Sequence, residues 1–167
     1  MTTDAGKSAR QFLQLTTNSR FFIYLRTMMH TIPTSGLQNI ARIILGLFMV
    51  LAAIGHLSFQ RSAFQAQVPD WIPFSKDLVV ILSGIVEAAL GLAIMFWTSE
   101  KIWAGVALAI FYVLIFPGNI AQYTGGINAF GLDTDRARLI RLFFQPVLIL
   151  WALWSTGALE YFFYHKA

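Results

Sequence analysis

The stretch that decides the fold runs from Leu78 to Ser99 and reads LVVILSGIVEAALGLAIMFWTS. It is long enough to cross a bilayer, and Glu87 near its middle is its only charged residue. A carboxylate at membrane depth costs at least ~2.5 kcal/mol, so we expect it to face the interior of a helix bundle and to mark a functional site. This segment therefore predicts a membrane bundle and indicates where its chemistry lies.

The composition assigns the whole chain to the same class. Of its 167 residues 57% are hydrophobic and 12% charged, and the mean hydropathy is +0.63, values that do not fit a water-soluble domain. The chain has no cysteine, which excludes disulfides, thiolate nucleophiles, cysteine-ligated iron–sulfur clusters and c-type haem. A redox role would therefore need a bound organic cofactor or another subunit.

Three further apolar stretches join this one as candidate membrane spans. The four spans are predicted at about 41–60, 78–99, 102–123 and 137–157. We expect the fourth helix to start near Asp135, behind a cap at Asp133 or Thr134, and to carry a kink at Pro146. The predicted fold is an all-α, integral membrane four-helix bundle over residues 38–159, followed by a C-terminal tail at 160–167.

Residues 1–37 form a basic extension without a span of their own. Its apolar residues repeat at helical spacing opposite a polar face, which predicts an amphipathic helix at about 19–32 on the membrane surface. Packing of the same apolar face on the bundle or on a partner protein is the alternative. The apolar cluster is too short for a signal peptide, and the basic residues favour membrane lipid headgroups over nucleic acid as partners.

The distribution of basic residues predicts the orientation. The N-terminal segment, the second loop and the C-terminus carry seven Lys and Arg, against five on the side of the first and third loops. Arg42 is counted with the N-terminal segment, ahead of the membrane. Both termini are therefore predicted to be cytoplasmic.

Antiparallel threading of the spans places several polar side chains near one end of the bundle. His56 lies about one turn from the end of span one, Asn119 and Gln122 lie at the end of span three, and Gln145 lies about two turns into span four. Arg141 shares a helical stripe with Gln145. These side chains predict a polar pocket that opens toward the first and third loops.

Glu87 lies deeper, about 15 Å from the start of span two, and forms the floor of this predicted pocket. Trp71 lies in a proline-bounded loop that can cover the pocket as a lid, and it is a further candidate for ligand contact. A proline has no backbone N–H, so Pro117 and Pro146 leave the carbonyl oxygens of Val113 and Leu142 without their helical donors. We predict these two oxygens to be hydrogen-bond acceptors in the pocket.

Glu87 and His56 are the candidates for moving protons, with Asn119, Gln122, Arg141 and Gln145 as ligand-binding residues. Because no Lys or Arg is predicted at its depth, we expect Glu87 to be protonated and not part of an ion pair. A packing role for Glu87 and an interfacial helix-end role for His56 remain open alternatives. No metal site is predicted, and a single histidine within the spans argues against b-type haem.

Several of these motifs resemble the DoxX-like family of small four-helix bacterial membrane proteins. They are Gly55-His56, the segment from Phe64 to Trp71, Ser83-Gly84 with Glu87, Phe116-Pro117-Gly118-Asn119, and the segment from Asp133 to Pro146. The resemblance covers residues 40–157 and implies a four-helix fold in the bacterial inner membrane. Its relatives are associated with a thiosulfate:quinone oxidoreductase subunit, with methylamine-utilisation maturation and with a scaffold joining superoxide dismutase to a sulfurtransferase.

Three functions remain open from the sequence. The first is a quinone-linked or small-molecule-binding membrane subunit, which would make the chain part of a membrane oxidoreductase. The second is a non-catalytic accessory or scaffold subunit that packs against other membrane protein subunits. The third, a small proton-coupled transporter using Glu87, is disfavoured because the chain shows no internal repeat. The only cofactor candidates are a quinone or a lipid.

Overall fold

The computed structural model describes residues 32–164, and within them it contains helices and connections but no β-strand. The α-helices are α1 (Gly36–Leu57), α2 (Arg61–Gln65), α3 (Lys76–Phe96), α4 (Lys101–Thr124), α5 (Asp135–Ser155) and α6 (Ala158–Tyr164). A short 3-10 helix, Thr98–Glu100, connects α3 to α4. The amphipathic helix predicted at 19–32 lies outside the described residues, apart from its last position.

Four helices, α1, α3, α4 and α5, are long and apolar enough to cross a membrane. They turn large apolar side chains outward, as Leu114 at 71% and Phe143 at 69% exposure illustrate. In water such a surface would be costly, whereas in lipid it meets a solvent as apolar as itself. The predicted all-α membrane four-helix bundle is confirmed, and the protein is a multi-pass membrane protein.

The bundle is built from two helix pairs. Helix α1 packs most extensively on α3, and α4 packs most extensively on α5. Between the pairs the contacts are fewer, along an α1–α5 seam and an α3–α4 seam. The close packing of α1 on α3 depends on small residues, because a Cβ placed on Gly91 would lie 2.9 Å from the backbone oxygen of Gly46. Close approach of this kind is typical of small residues at a membrane helix interface.

Side-chain hydroxyls fix the starts of three spanning helices. Ser35 and Gln38 form a capping box at α1, Ser75 accepts from the backbone N–H of Leu78 at α3, and Thr134 accepts from that of Ala137 at α5. The caps lie outside the apolar stretches, so α1 and α3 begin earlier than the hydrophobic segments from which the spans were predicted. Helices α4 and α5 continue through Pro117 and Pro146.

Arg42 lies inside the bundle, and the prediction that places it ahead of the membrane is wrong. It is 4% exposed, and its Nη1 donates to the carbonyl oxygens of Ile94 and Met95, at 3.1 Å from the latter. These carbonyls belong to the last turn of α3, which has no intrahelical donors for them. A cation at a helix C-terminus also complements the helix dipole, so Arg42 closes α3.

The chain after the fourth span is helical where a tail was predicted. Gly157 adopts a left-handed φ of 79°, which ends α5 and lets α6 start one residue later. Gln38 Nε2 donates to the carbonyl oxygen of Trp154 at 2.9 Å and to Glu160 Oε1 at 3.1 Å. These bonds anchor the start of α6 to the start of α1.

We expect Gly91→Ala to lower the stability of the purified protein, by about 1–3 kcal/mol, because the added methyl group meets the backbone of α1. Gly36→Ala is the matched control, since a Cβ at Gly36 meets nothing within 4 Å. Unfolding in detergent, followed by circular dichroism, compares the two variants. Equal stability of the two variants would contradict the close α1–α3 packing.

Candidate functional site

A cavity of about 500 Å³ lies between the two helix pairs, at the end where the first and third loops meet. All four spanning helices line it, together with α2, the first loop and Phe130 of the third loop. Most of its wall is apolar and aromatic, with a small set of polar side chains: His56, Gln60, Gln67, Ser83, Glu87, Asn119, Arg141 and Gln145. An apolar cavity with few polar groups is typical of a small-molecule binding site.

His56 and Glu87 meet at the wall of this cavity. The imidazole Nε2 lies 3.0 Å from Glu87 Oε2, and both side chains are more than nine-tenths buried. The two groups are close but not aligned for a hydrogen bond, and Oε2 has no hydrogen-bond partner among residues 32–164. His56 was predicted to lie nearer the loops than Glu87, whereas the two side chains contact each other directly.

Ser83 restricts the proton on the imidazole of His56. Its hydroxyl lies 2.9 Å from the carbonyl oxygen of Val80 and 3.1 Å from His56 Nδ1. A hydroxyl has one proton, so when it donates to Val80 it must accept from a protonated Nδ1. A neutral His56 then presents an unprotonated Nε2 to Glu87. Either Glu87 or an imidazolium form of His56 can therefore carry an exchangeable proton at this contact.

The different lengths of α1 and α3 explain why threading separated these two residues. Helix α1 ends at Leu57, whereas α3 extends for two more turns at this end of the bundle. His56 therefore faces Ser83 and Gly84, about 12 Å into α3, where a Cβ on Gly84 would lie 2.8 Å from His56 Cβ. Residues 58–75 pack over the end of α1 and occupy the space beside the two extra turns of α3.

Arg141 is the cation of the cavity. Its Nη2 donates to Gln67 Oε1 at 3.2 Å, its Nε donates to Asn119 Oδ1 at 3.4 Å, and its guanidinium lies 4.6 Å from the centroid of Phe130. In the described part of the chain no carboxylate forms a close ion pair with it. A guanidinium has five N–H donors, so Arg141 retains donors for an oxygen-bearing group.

Asn119 and Gln145 join α4 to α5 beside Arg141. Asn119 Nδ2 donates to Gln145 Oε1 at 2.9 Å, and Gln145 Nε2 donates to the carbonyl oxygen of Tyr112 at 2.9 Å. The backbone acceptor is thus Tyr112, one residue before the predicted Val113. Across residues 32–164 no side chain donates to the carbonyl oxygens of Val113 or Leu142.

Gln122 does not line the cavity, so its predicted ligand-binding position is wrong. It is 1% exposed and lies behind the wall, where it accepts from Gln67 Nε2 at 2.5 Å. Its own Nε2 is 3.4 Å from the carbonyl oxygens of Ile127 and Ala129. Gln122 therefore supports Gln67 and the third loop from the far side.

The first loop covers the cavity mouth, where Trp71 lines the cavity and is 72% exposed. Ion pairs hold this loop to the start of α3, since Arg61 Nε donates to Asp77 Oδ1 at 2.6 Å and Lys76 Nζ to Asp70 Oδ1 at 2.7 Å. The hydrogen bond from Lys76 holds the pKa of Asp70 below its usual range. The predicted interfacial loop thus lies at the mouth.

Three lining residues, Phe64, Gln67 and Phe130, were not assigned a role from the sequence. Phe64 stacks on His56 with ring centroids 3.4 Å apart and meets the edge of Phe130 at 4.6 Å. Phe130 has a left-handed φ of 60°, an uncommon backbone for a bulky residue that costs about 1–2 kcal/mol. Gly131 beside it, with φ of 70°, is the one sequence signal of this tight turn.

The donors and acceptors at the cavity suit an organic headgroup better than a metal ion. Among residues 32–164 no three His, Asp or Glu lie close enough to hold a metal. Arg141 retains N–H donors for an oxygen beside its bonds to Gln67 and Asn119, and the His56–Glu87 pair offers an exchangeable proton. Phe64, Phe130 and Trp71 offer aromatic faces for a planar ring.

We expect Asn119→Ala and Gln145→Ala to couple by about 0.5–2 kcal/mol in a double-mutant cycle, because each removes the partner of the other. Asn119→Ala combined with Asn39→Ala serves as the control, since Asn39 bonds to Thr34 at the other end of the bundle. Unfolding in detergent measures both cycles. Additive behaviour of the first pair would contradict the α4–α5 hydrogen bond.

Comparison with known proteins gives one match. A family model for a domain of unknown function, DUF8561, matches residues 45–156. No curated protein and no solved structure matches the chain. The resemblance to DoxX-like proteins therefore stays a prediction. The matched residues cover more than half of the chain and include every cavity-lining residue of the spanning helices. The protein belongs to the DUF8561 family.

Proposed function

We propose that the protein binds a membrane-soluble small molecule with an oxygen-bearing headgroup, a quinone or a lipid, in the cavity between its helix pairs. One observation carries this proposal. Arg141, without a close ionic partner in the described residues, faces the same largely apolar cavity as the close but unaligned His56–Glu87 contact. Buried polar groups without partners are costly, and a ligand oxygen would supply what they lack.

The residues present fit a quinone. A quinone supplies two carbonyl oxygens that accept hydrogen bonds and take up protons on reduction. Arg141 would hold one oxygen, while Glu87 and His56 would exchange a proton at the cavity wall. The aromatic rings of Phe64 and Phe130 would exclude water from the headgroup.

The chain has no cysteine, so any electrons would reach the bound molecule from a neighbouring protein. We therefore propose that it acts as a subunit of a larger membrane oxidoreductase, as the resemblance to DoxX-like proteins implies. A non-catalytic accessory subunit is the alternative. It is favoured by the aromatic side chains exposed at the other end of the bundle, Phe96 at 73% and Phe163 at 74%.

We expect Arg141→Met to weaken the binding of a long-chain benzoquinone by about tenfold or more, because a hydrogen bond to a charged donor contributes ~1.5–3 kcal/mol. Saturable quenching of tryptophan fluorescence reports the binding, since Trp71 and Trp151 line the cavity. Arg136→Met is the matched control, because Arg136 is an exposed residue on the same helix.

The bound small molecules extracted from purified Glu87→Gln and His56→Ala variants give an independent test. If both variants retain the same lipid and quinone content as the wild type, small-molecule binding at this site loses its basis. If in addition a larger enzyme co-purifies with the chain, the accessory function is favoured instead.

We further propose that the protein lies in the bacterial inner membrane with both termini in the cytoplasm, so that the cavity mouth faces outward. This follows from the excess of Lys and Arg on the side of the termini. Arg42 lies within the bundle, but it is still at the end of α1 that the termini share.

The absence of cysteine makes a direct test of orientation simple, because single cysteines can be introduced without a background. In intact cells we expect a membrane-impermeant maleimide to label Asp133→Cys on the third loop and to spare Ser99→Cys on the second. Both positions are exposed, so both should react after lysis. The reverse labelling pattern would contradict the proposed orientation.

A further inference from the structure

The cavity is too small to enclose a long-chain ligand completely. Its volume of about 500 Å³ lies within the ~300–1,000 Å³ of pockets that bury drug-sized molecules. If the proposed function holds, such a cavity accommodates a headgroup and the first part of a chain. The rest of an isoprenoid or acyl chain must then leave through the wall of the bundle.

The seam between α1 and α5 is fixed by polar and ring contacts at Trp151. Trp151 Nε1 donates to the carbonyl oxygen of Ala41 at 3.1 Å, and the rings of Phe48 and Trp151 meet edge to face at 6.5 Å. These contacts involve residues 41–48 of α1. In the described part of the chain no hydrogen bond or ring contact joins residues 49–57 to α5. Beyond Phe48 the two helices are therefore held by apolar packing and not by polar contacts.

The side chains along this seam belong to both the cavity and the outer surface. Phe48 on α1 is 56% exposed and Phe144 on α5 is 52% exposed, yet both line the cavity. Ala52 and Leu148 line it beside them and are partly exposed. At these residues the wall between the cavity and the lipid is one side chain thick, which makes this part of the seam the place for an opening.

The stripe along α5 gives such a chain a direction. Arg141, Phe144 and Leu148 are related by three and seven residues, so they lie on one helix face. At ~1.5 Å per residue, Phe144 and Leu148 lie about 4.5 and 10 Å deeper than Arg141. A headgroup at Arg141 would therefore place an attached chain along Phe144 and Leu148, in the opening.

We infer that the α1–α5 seam is a lateral portal, through which the single apolar chain of the ligand extends into the bilayer while its headgroup stays at Arg141. The ligand is then a long-chain amphiphile drawn from the membrane, not a water-soluble molecule entering through the loops. This inference rests on the proposed function and specifies the substrate class of the same site.

Bulky substitutions in the portal test it in the full-length protein. Ala52→Trp on α1 fills the opening, Leu148→Trp does so from the opposite wall, and Leu51→Trp is the matched control, since Leu51 is 53% exposed and does not line the cavity. The probes are a benzoquinone with a long alkyl chain and the same quinone without it. Palmitate and butyrate form a second pair, which distinguishes a fatty-acid headgroup from a quinone.

We expect either portal variant to weaken binding of the long-chain probe about tenfold more than binding of the chainless probe. Leu51→Trp should leave both probes unchanged. Using two walls keeps the test valid when one variant fails to fold.

Equal weakening of both probes, or selective weakening by Leu114→Trp in the α3–α4 seam alone, would overturn the portal. A wild-type protein that binds the chainless headgroup as tightly as the long-chain probe would overturn this inference and leave the proposed function standing. Failure of the wild type to bind any of the four probes would contradict the proposed function itself.

Discussion

Polar groups buried within a membrane bundle have to find their partners inside the protein, and this constraint shapes the structure along the helices. At one end the guanidinium of Arg42 satisfies the last carbonyls of α3. Midway along the bundle the amide of Gln145 satisfies a carbonyl of α4. Among residues 32–164 the Nε atoms of Arg42 and Arg138 and Glu87 Oε2 lack a hydrogen-bond partner, and neither Arg42 nor Arg138 lines the cavity. The candidate site is thus where incompletely paired groups, Arg141 and Glu87, face a volume that a ligand can fill.

Close packing of α1 on α3 makes the contact between His56 and Glu87 available. The glycines at the interface let the two backbones approach until a methyl group would no longer fit. His56 then reaches over Gly84 to both Ser83 and Glu87. Replacement of Gly84 or Gly91 by a larger residue would move the imidazole of His56 as well as the helix. The site and the fold therefore depend on the same small residues.

The fold and most of the site were accessible from the sequence, because apolar stretches and helical spacing report directly on spans and faces. His56, Glu87, Asn119, Arg141, Gln145 and Trp71 all line one cavity. Threading failed where it assumed helices of equal reach, since α3 extends beyond α1 and brings His56 to the level of Glu87. Threading also failed for Gln122, because helical spacing shows which residues share a face but not which of their side chains reach the cavity.

Residues contributed by loops could not be predicted in this way. Phe64 and Phe130 reach the cavity through a short helix and a tight turn, whose positions depend on tertiary contacts and not on any periodicity. The position of Arg42 was predicted wrongly for a related reason. In the sequence, a cation beside an apolar stretch indicates the end of the membrane span. Only the carbonyls of α3 explain why the cation lies inside.

The division into two pairs has a mechanical consequence. Most of the packing lies within each pair, and the pairs meet along two narrower seams with the cavity between them. A small rotation of one pair against the other would change the cavity volume while leaving the glycine contacts of α1 and α3 intact. The cavity volume therefore depends on the two less extensive interfaces, and a thicker ligand would displace one pair from the other before it repacked either pair.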